Sequence, residues 1–243
     1  MSNKTLSGPQ APETNLDQPL YTPIKRRSFF MYAGATAGAT ALVLAGCKKD
    51  DNNNPGLVSV GSGDVGVLNY AYAIEQLEAD FYTQVRTGSY YTSTATAAEK
   101  QILDDLYYHE VIHRDFFKAA ITAAGATPIK PLTTVYPAGT FSSKASVLGT
   151  AKAFEDLGVA AYNGAAQYIK TAQYLYIAGK IVSIEARHAA IIRDLVTEGS
   201  FVGNDIVDIA GNSLEMSKLP SVVVATANTF LADGSKLDVS GLG

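Results

Sequence analysis

Between Gly66 and Glu198 the apolar residues recur every three or four positions, the period of an amphipathic helix, and nowhere alternate for the length of a strand. Four stretches carry the pattern. The first starts at Gly66 with Asp64 as candidate N-cap, aligns Leu68, Tyr72, Glu75, Ala79 and Tyr82, and stops near Arg86-Thr87-Gly88. A loop rich in Ser, Thr and Tyr leads to the second, near Ala97, whose face is Leu103, Leu106, Glu110, His113 and Phe117. It ends before Gly125, with Pro128 and Pro131 beyond. After a long connection to Lys144, the third stretch runs from Ser146 to Ala172 with Glu155, Val159, Tyr162, Ala166 and Ile169 inward. Gly158, Ala161, Gly164 and Ala165 leave room on it for a close neighbour. The fourth, Leu175 to Glu198, presents Ile181, Glu185, His188, Ile192 and Leu195. The expected fold is all-α: a four-helix bundle over residues 65–198 with a long crossover between two helix pairs. Residues 199–243 form a C-terminal extension in which Pro220–Phe230 can make one more short helix.

The two pairs repeat. AIEQLEADFY, from Ala73 to Tyr82, returns as AFEDLGVAAY, from Ala153 to Tyr162, so that Glu75 answers to Glu155 and Tyr82 to Tyr162. Each copy is followed at a similar distance by Glu-x-x-His: Glu110 with His113, and Glu185 with His188. A spacing of three puts each Glu and His on one helix face, one turn apart. The chain has three histidines, and two of them occupy these places. The inward stripes therefore hold four carboxylates where apolar side chains are expected. Two such charges about 4 Å apart at an effective dielectric near 20 repel by roughly 4 kcal/mol, and burial adds more for each ion. Two divalent cations cancel four negative charges; protonating the carboxylates is the other inexpensive solution.

Composition narrows the picture further. At 47 % hydrophobic residues the chain is ordinary globular material, and a formal charge of −4 with no nucleic-acid motif excludes nucleic-acid binding. One cysteine, Cys47, excludes a disulfide framework and any Cys-x-x-Cys metal knuckle. Its setting is informative. Lys25-Arg26-Arg27-Ser28-Phe29-Phe30 precedes an apolar run from Met31 to Ala45, shorter than the roughly twenty residues of a membrane span. This order of charged, apolar and small residues makes a signal peptide over residues 1–46, and the arginine pair resembles a twin-arginine signal. Leu44-Ala45-Gly46-Cys47 resembles a lipoprotein box, which implies cleavage before Cys47 and lipidation of its thiol. Residues 47–64 then read as a flexible tether, and Lys48-Lys49-Asp50-Asp51 resembles a surface-export signal of lipoproteins. The expected location is the bacterial cell envelope, exported and lipid-anchored to a membrane, with surface exposure as a further option.

The two Glu-x-x-His stretches, AIEQLEADFY, AFEDLGVAAYNGAA and VSIEARHAAIIR together resemble the ferritin-like di-iron carboxylate proteins, and in particular the exported branch that includes the desiccation-related proteins. The resemblance spans about Val65 to Phe230. It implies that Glu75, Glu110 and His113 serve one metal and Glu155, Glu185 and His188 the other, with Glu110 and Glu185 as bridges. Glu78, one turn from Glu75, is an alternative or additional ligand, although its counterpart in the repeat is Gly158. His109 points about 100° away from its neighbour Glu110, toward a surface or outer role. Tyr82 and Tyr162 read as core. The implied cofactors are two divalent ions, iron or manganese, since this donor set suits both. The implied chemistry is oxidation of Fe(II), or consumption of peroxide as in manganese catalases and rubrerythrins, during oxidative or desiccation stress. A rubredoxin-type iron site is excluded for want of cysteines, and a lipid tether sits badly with a closed storage cage. The expected partners are small oxidants such as peroxide or oxygen and a membrane through the lipid anchor; a homo-oligomer is compatible. The rival reading is a non-catalytic envelope scaffold with a structural or empty metal site.

Overall fold

The computed structural model describes residues 56–242. The expected signal peptide and Cys47 lie outside the described residues, as does most of the expected tether. The architecture is all-α. Helices α1 (Gly63–Thr87) and α2 (Ala97–Ala123) form one pair, α3 (Lys144–Ala165) and α4 (Ala172–Val196) the other, and α5 (Pro220–Ala227) follows in the extension. The pairs meet through α1 and α3. Among the described residues, strand is confined to β1 (Val58–Ser59), paired in parallel with β2 (Leu237–Asp238), and two isolated bridges. No described helix is long and apolar enough to cross a membrane.

The helix starts follow capping chemistry with one correction. Thr96 and Glu99 form a reciprocal capping box at α2, and Ser143 and Ser146 form another at α3. Asp64, expected to cap α1, sits inside its first turn, and Ser62 holds the cap position. The Asp64 carboxylate instead accepts the backbone N–H groups of Lys170 (2.7 Å) and Thr171 (3.0 Å), just where α4 begins. That anchor bears on a second correction. The third helix ends at Ala165 and not at Ala172: a 3₁₀ turn over Ala166–Tyr168 follows, and the chain is then fixed by Asp64. Gly164 lies inside the last turn, and no glycine or proline closely follows Ala165 to mark the end.

α1 is buried on nearly every side, which a single apolar stripe does not predict. The crossover explains it. Asn69 accepts from the Ile129 N–H (3.0 Å), Gln76 from the Leu132 N–H (2.9 Å), and Asp80 from the hydroxyls of Thr134 (2.6 Å) and Tyr136 (3.0 Å). Polar groups spaced along one helix thus satisfy an otherwise unpaired connecting segment. The expected tether is also shorter at its carboxyl end. Val58 and Ser59 pair with the tail, Val60 is buried, and Asn69 donates to the Val60 carbonyl (3.2 Å).

The tail crosses α3 at Gly164. The Lys218 N–H donates to the Ala160 carbonyl (3.0 Å), and a Cβ at position 164 would lie 1.7 Å from the Lys218 oxygen. The room read from the small residues of α3 is used here by backbone. Arg193, buried, holds the same tail by pairing bidentately with Asp156 on α3 and with Asp205.

Candidate metal centre

Each helix of the four delivers one glutamate to the bundle centre, and α2 and α4 add a histidine one turn further on. Glu75, Glu110, Glu155 and Glu185 are fully buried, and His113 and His188 nearly so. All six predicted residues converge. They divide into two groups, Glu75–Glu110–His113–Glu185 and Glu110–Glu155–Glu185–His188, whose donor atoms lie within 4.8 Å of one another in each group.

The individual distances show how the groups share members. His113 Nδ1 lies 2.7 Å from Glu185 Oε1, 3.4 Å from Glu75 Oε2 and 3.7 Å from Glu110 Oε2. His188 Nδ1 lies 2.7 Å from Glu110 Oε1, 3.5 Å from Glu185 Oε2 and 3.6 Å from Glu155 Oε2. Glu110 and Glu185 therefore offer one oxygen to each group, while Glu75 and Glu155 each offer one oxygen to a single group. Although several of these atoms are close, Glu75 Oε2, Glu155 Oε2, both oxygens of Glu110 and Glu185, and Nδ1 of both histidines are buried without a hydrogen bond of acceptable geometry. Buried polar atoms are rarely left so. These are four oxygen or nitrogen donors for each of two positions, all pointing inward and otherwise unpaired, and the set is of the type that divalent iron, manganese or zinc accepts. The residues present fit two metal ions.

The outward oxygens of the two terminal glutamates are paired, and in a crossed manner. Tyr82 on α1 donates to Glu155 Oε1 on α3 (2.5 Å), and Tyr162 on α3 donates to Glu75 Oε1 on α1. This crossing requires α1 and α3 to run in opposite directions, related by an approximate twofold axis. The tyrosines are core, as expected, but they also aim the glutamates. Their Glu-to-Tyr spacing of seven, present in both copies, was the available signal. Burial, and then the partner carboxylate, pushes both phenols well above their ordinary range, so they stay protonated donors.

The remaining electrostatics follow from crowding. Burial and the nearby Glu185 push Glu75 well above the carboxylate range, and burial lifts Glu155 to about 7. Burial alone would raise Glu110, but the two imidazoles reverse this and bring it to about 2. Burial disfavours the His113 cation, yet Glu110, Glu185 and Glu75 outweigh it and push the ring up to about 12. His188 shifts upward in the same way. As protein groups alone, the histidines do the charge compensation that cations would otherwise supply.

Glu78 is the fifth buried carboxyl, and neither of its oxygens has a partner. Burial first, then Glu185, Glu110, Glu75 and Glu155, push it well above its ordinary range, which favours its protonated form in the metal-free protein. It stands in neither four-membered donor group. A Cβ on Gly158 would lie 2.7 Å from Glu78 Oε1. The two repeat-related positions therefore face each other across the twofold axis, where there is space for one side chain. His109 does not join either group; its Nδ1 lies 2.8 Å from His188 Nε2.

Fold and site together define an all-helical bundle with a buried carboxylate–histidine cluster able to hold two metal ions. The ferritin-like domain family matches residues 63–198, more than half of the chain, and the chain belongs to that family. A search of curated proteins finds no match.

Proposed function

We propose that this is an exported, lipid-anchored ferritin-like protein whose dimetal centre, of iron or manganese, oxidises Fe(II) or consumes peroxide under oxidative or desiccation stress. The observation that carries the dimetal part is the set of eight buried, unpaired donor atoms, four to each position. Bound metal supplies the change of oxidation state and the coordination position at which a small oxidant reacts. The protein's own groups do the rest. Tyr82 and Tyr162 hold Glu155 and Glu75 in one rotamer, so that reorganisation at the centre is small. Glu78 lies on the α1–α3 side of the cluster, and the histidines enter from α2 and α4. The surrounding aromatic core excludes bulk water, with Phe117 packed on Tyr162 and Phe81 on Tyr82.

Export and anchoring are supported by the order of charged, apolar and small residues that ends at Cys47. The test of that part is incorporation of labelled palmitate into the full-length protein and its loss in Cys47→Ala. For the centre, mature protein from cells supplied with iron and manganese is expected to carry near two metal ions per chain by elemental analysis. Absence of bound metal would sink the dimetal reading. Retained metal with peroxide and Fe(II) turnover unchanged in Glu110→Ala and His188→Ala would instead make the site structural.

A further inference from the structure

The two donor groups match residue for residue, but their surroundings do not. The register that aligns Glu110 with Glu185 aligns His109 with Ile184. His109, on the exposed face midway along α2, reaches across to α4, with its ring stacked on His188 at 5.0 Å and 29°. His188 Nδ1 faces Glu110, Glu155 and Glu185; with a metal ion on Nδ1, His188 would carry its proton on Nε2, the atom 2.8 Å from His109 Nδ1. In that state the proton is donated outward to His109 Nδ1, and the proton of His109 sits on Nε2. The His109 ring also stacks on His113, at 6.2 Å and 18°, but gives it no hydrogen bond. Ile184, at the equivalent position, brings no polar atom.

A fixed acceptor on the outer nitrogen sets the tautomer and ring plane of a metal-binding histidine and raises its basicity. We propose that His109 is a positioning residue that makes the two metal positions unequal, so that a divalent cation fills the Glu155–His188 position before the Glu75–His113 position. This rests on the dimetal reading above. Glu78 is the other break in the symmetry, but it is pressed by all four ligand carboxylates and singles out neither position.

The full chain, stripped of metal by a chelator and kept anaerobic, is titrated with Mn(II) while free Mn(II) is followed by its EPR signal. Wild type is expected to bind in two steps separated by about 10–100-fold. His109→Phe brings the tighter step down to the weaker one. His109→Gln, whose side-chain oxygen accepts the same N–H, keeps the separation, and circular dichroism verifies that both variants are helical. His113→Ala keeps the tight step and His188→Ala loses it. Two equal steps in wild type, a separation unchanged in His109→Phe, or its loss in His109→Gln as well, overturns the proposal and leaves the dimetal centre standing. Survival of the tight step in His188→Ala overturns the assignment of the first position. No Mn(II) binding by wild type overturns the dimetal reading together with this one.

Discussion

The α1–α2 pair and the α3–α4 pair bring the same chemistry to the centre and differ almost everywhere else. Each supplies a terminal glutamate, a bridging glutamate, a histidine and a tyrosine that crosses to the other pair. The contrasts lie where the copies meet or where something is attached to them. At the axis, Glu78 faces Gly158 because two glutamates cannot share the space. At the outer ends, Lys118 is exposed while its counterpart Arg193 is buried in the tail. At the helix starts, α2 has a side-chain cap and α4 has none of its own. A duplicated unit keeps what the centre needs, and its two copies are free to diverge where symmetry would produce a collision or where only one copy has a neighbour.

The largest expected effect breaks the equivalence within each pair and not between them. Glu110 and Glu185 touch both donor groups, and Glu75 and Glu155 touch one each. Glu110→Ala or Glu185→Ala is expected to empty both metal positions, whereas Glu75→Ala or Glu155→Ala empties one. Elemental analysis after dialysis separates the two outcomes; equal loss in all four variants would refute the shared role of the bridges.

Next comes the comparison of Arg193 with Lys118. Arg193 is 3 % exposed and makes two bidentate pairs, one to Asp156, which is itself largely buried. Removing one partner of such a pair strands the other, so Arg193→Met is expected to cost about 3 kcal/mol. Lys118→Met at the equivalent exposed position stays within about 0.5 kcal/mol. Urea unfolding measures both.

The axis offers a smaller and sharper test. Gly158→Ala pushes a methyl against the Glu78 carboxyl, at an expected cost of about 1–3 kcal/mol. Glu78→Met removes a buried carboxyl that has no partner, and is expected to stabilise metal-free protein by about 1–2 kcal/mol. In the Glu78→Ala background Gly158→Ala should cost almost nothing, so a double-mutant cycle reads the collision directly. An additive cycle would show that the two positions do not share the space.

How much of this was legible in the sequence depends on whether a residue's role is set by its own helix. Glu75, Glu110, His113, Glu155, Glu185 and His188 could be singled out because charged groups on an apolar helical stripe need a reason, and the repeat supplied one. Tyr82 and Tyr162 share the stripe but are amphipathic, so their hydrogen bonds to the opposite copy were invisible without the antiparallel arrangement of α1 and α3. The burial of Asn69 and Gln76 and the partial burial of Asp80 came from the crossover, a segment with no periodicity to show where it packs. The end of α3 was missed for a related reason: what stops it includes Asp64, distant in sequence. Local pattern singled out the six side chains that converge, and tertiary contacts decided the boundaries.

The smallest effect separates the two equivalent helix starts. α4 is held by Asp64 from another helix, and α2 by its own Glu99, which accepts from the Thr96 N–H (2.8 Å) and pairs with Lys144 at the start of α3 (2.8 Å). The Lys144 ammonium, then the Thr96 N–H, lower Glu99 to about 2 from an ordinary value of 4.5. A carboxylate whose folded value is depressed stabilises fully above its unfolded value, and the stabilisation is lost as pH falls through the window from 4.5 to about 2. Glu99→Gln keeps the capping-box geometry and drops the charge. The Lys144 end of the pair is half exposed, so solvent screening holds the difference to under about 1 kcal/mol at neutral pH. Wild type should therefore exceed Glu99→Gln slightly above pH 4.5, converge with it near pH 2, and lose the advantage in high salt. A difference that persisted at pH 2 would assign the effect to the shape of the cap and not to its charge.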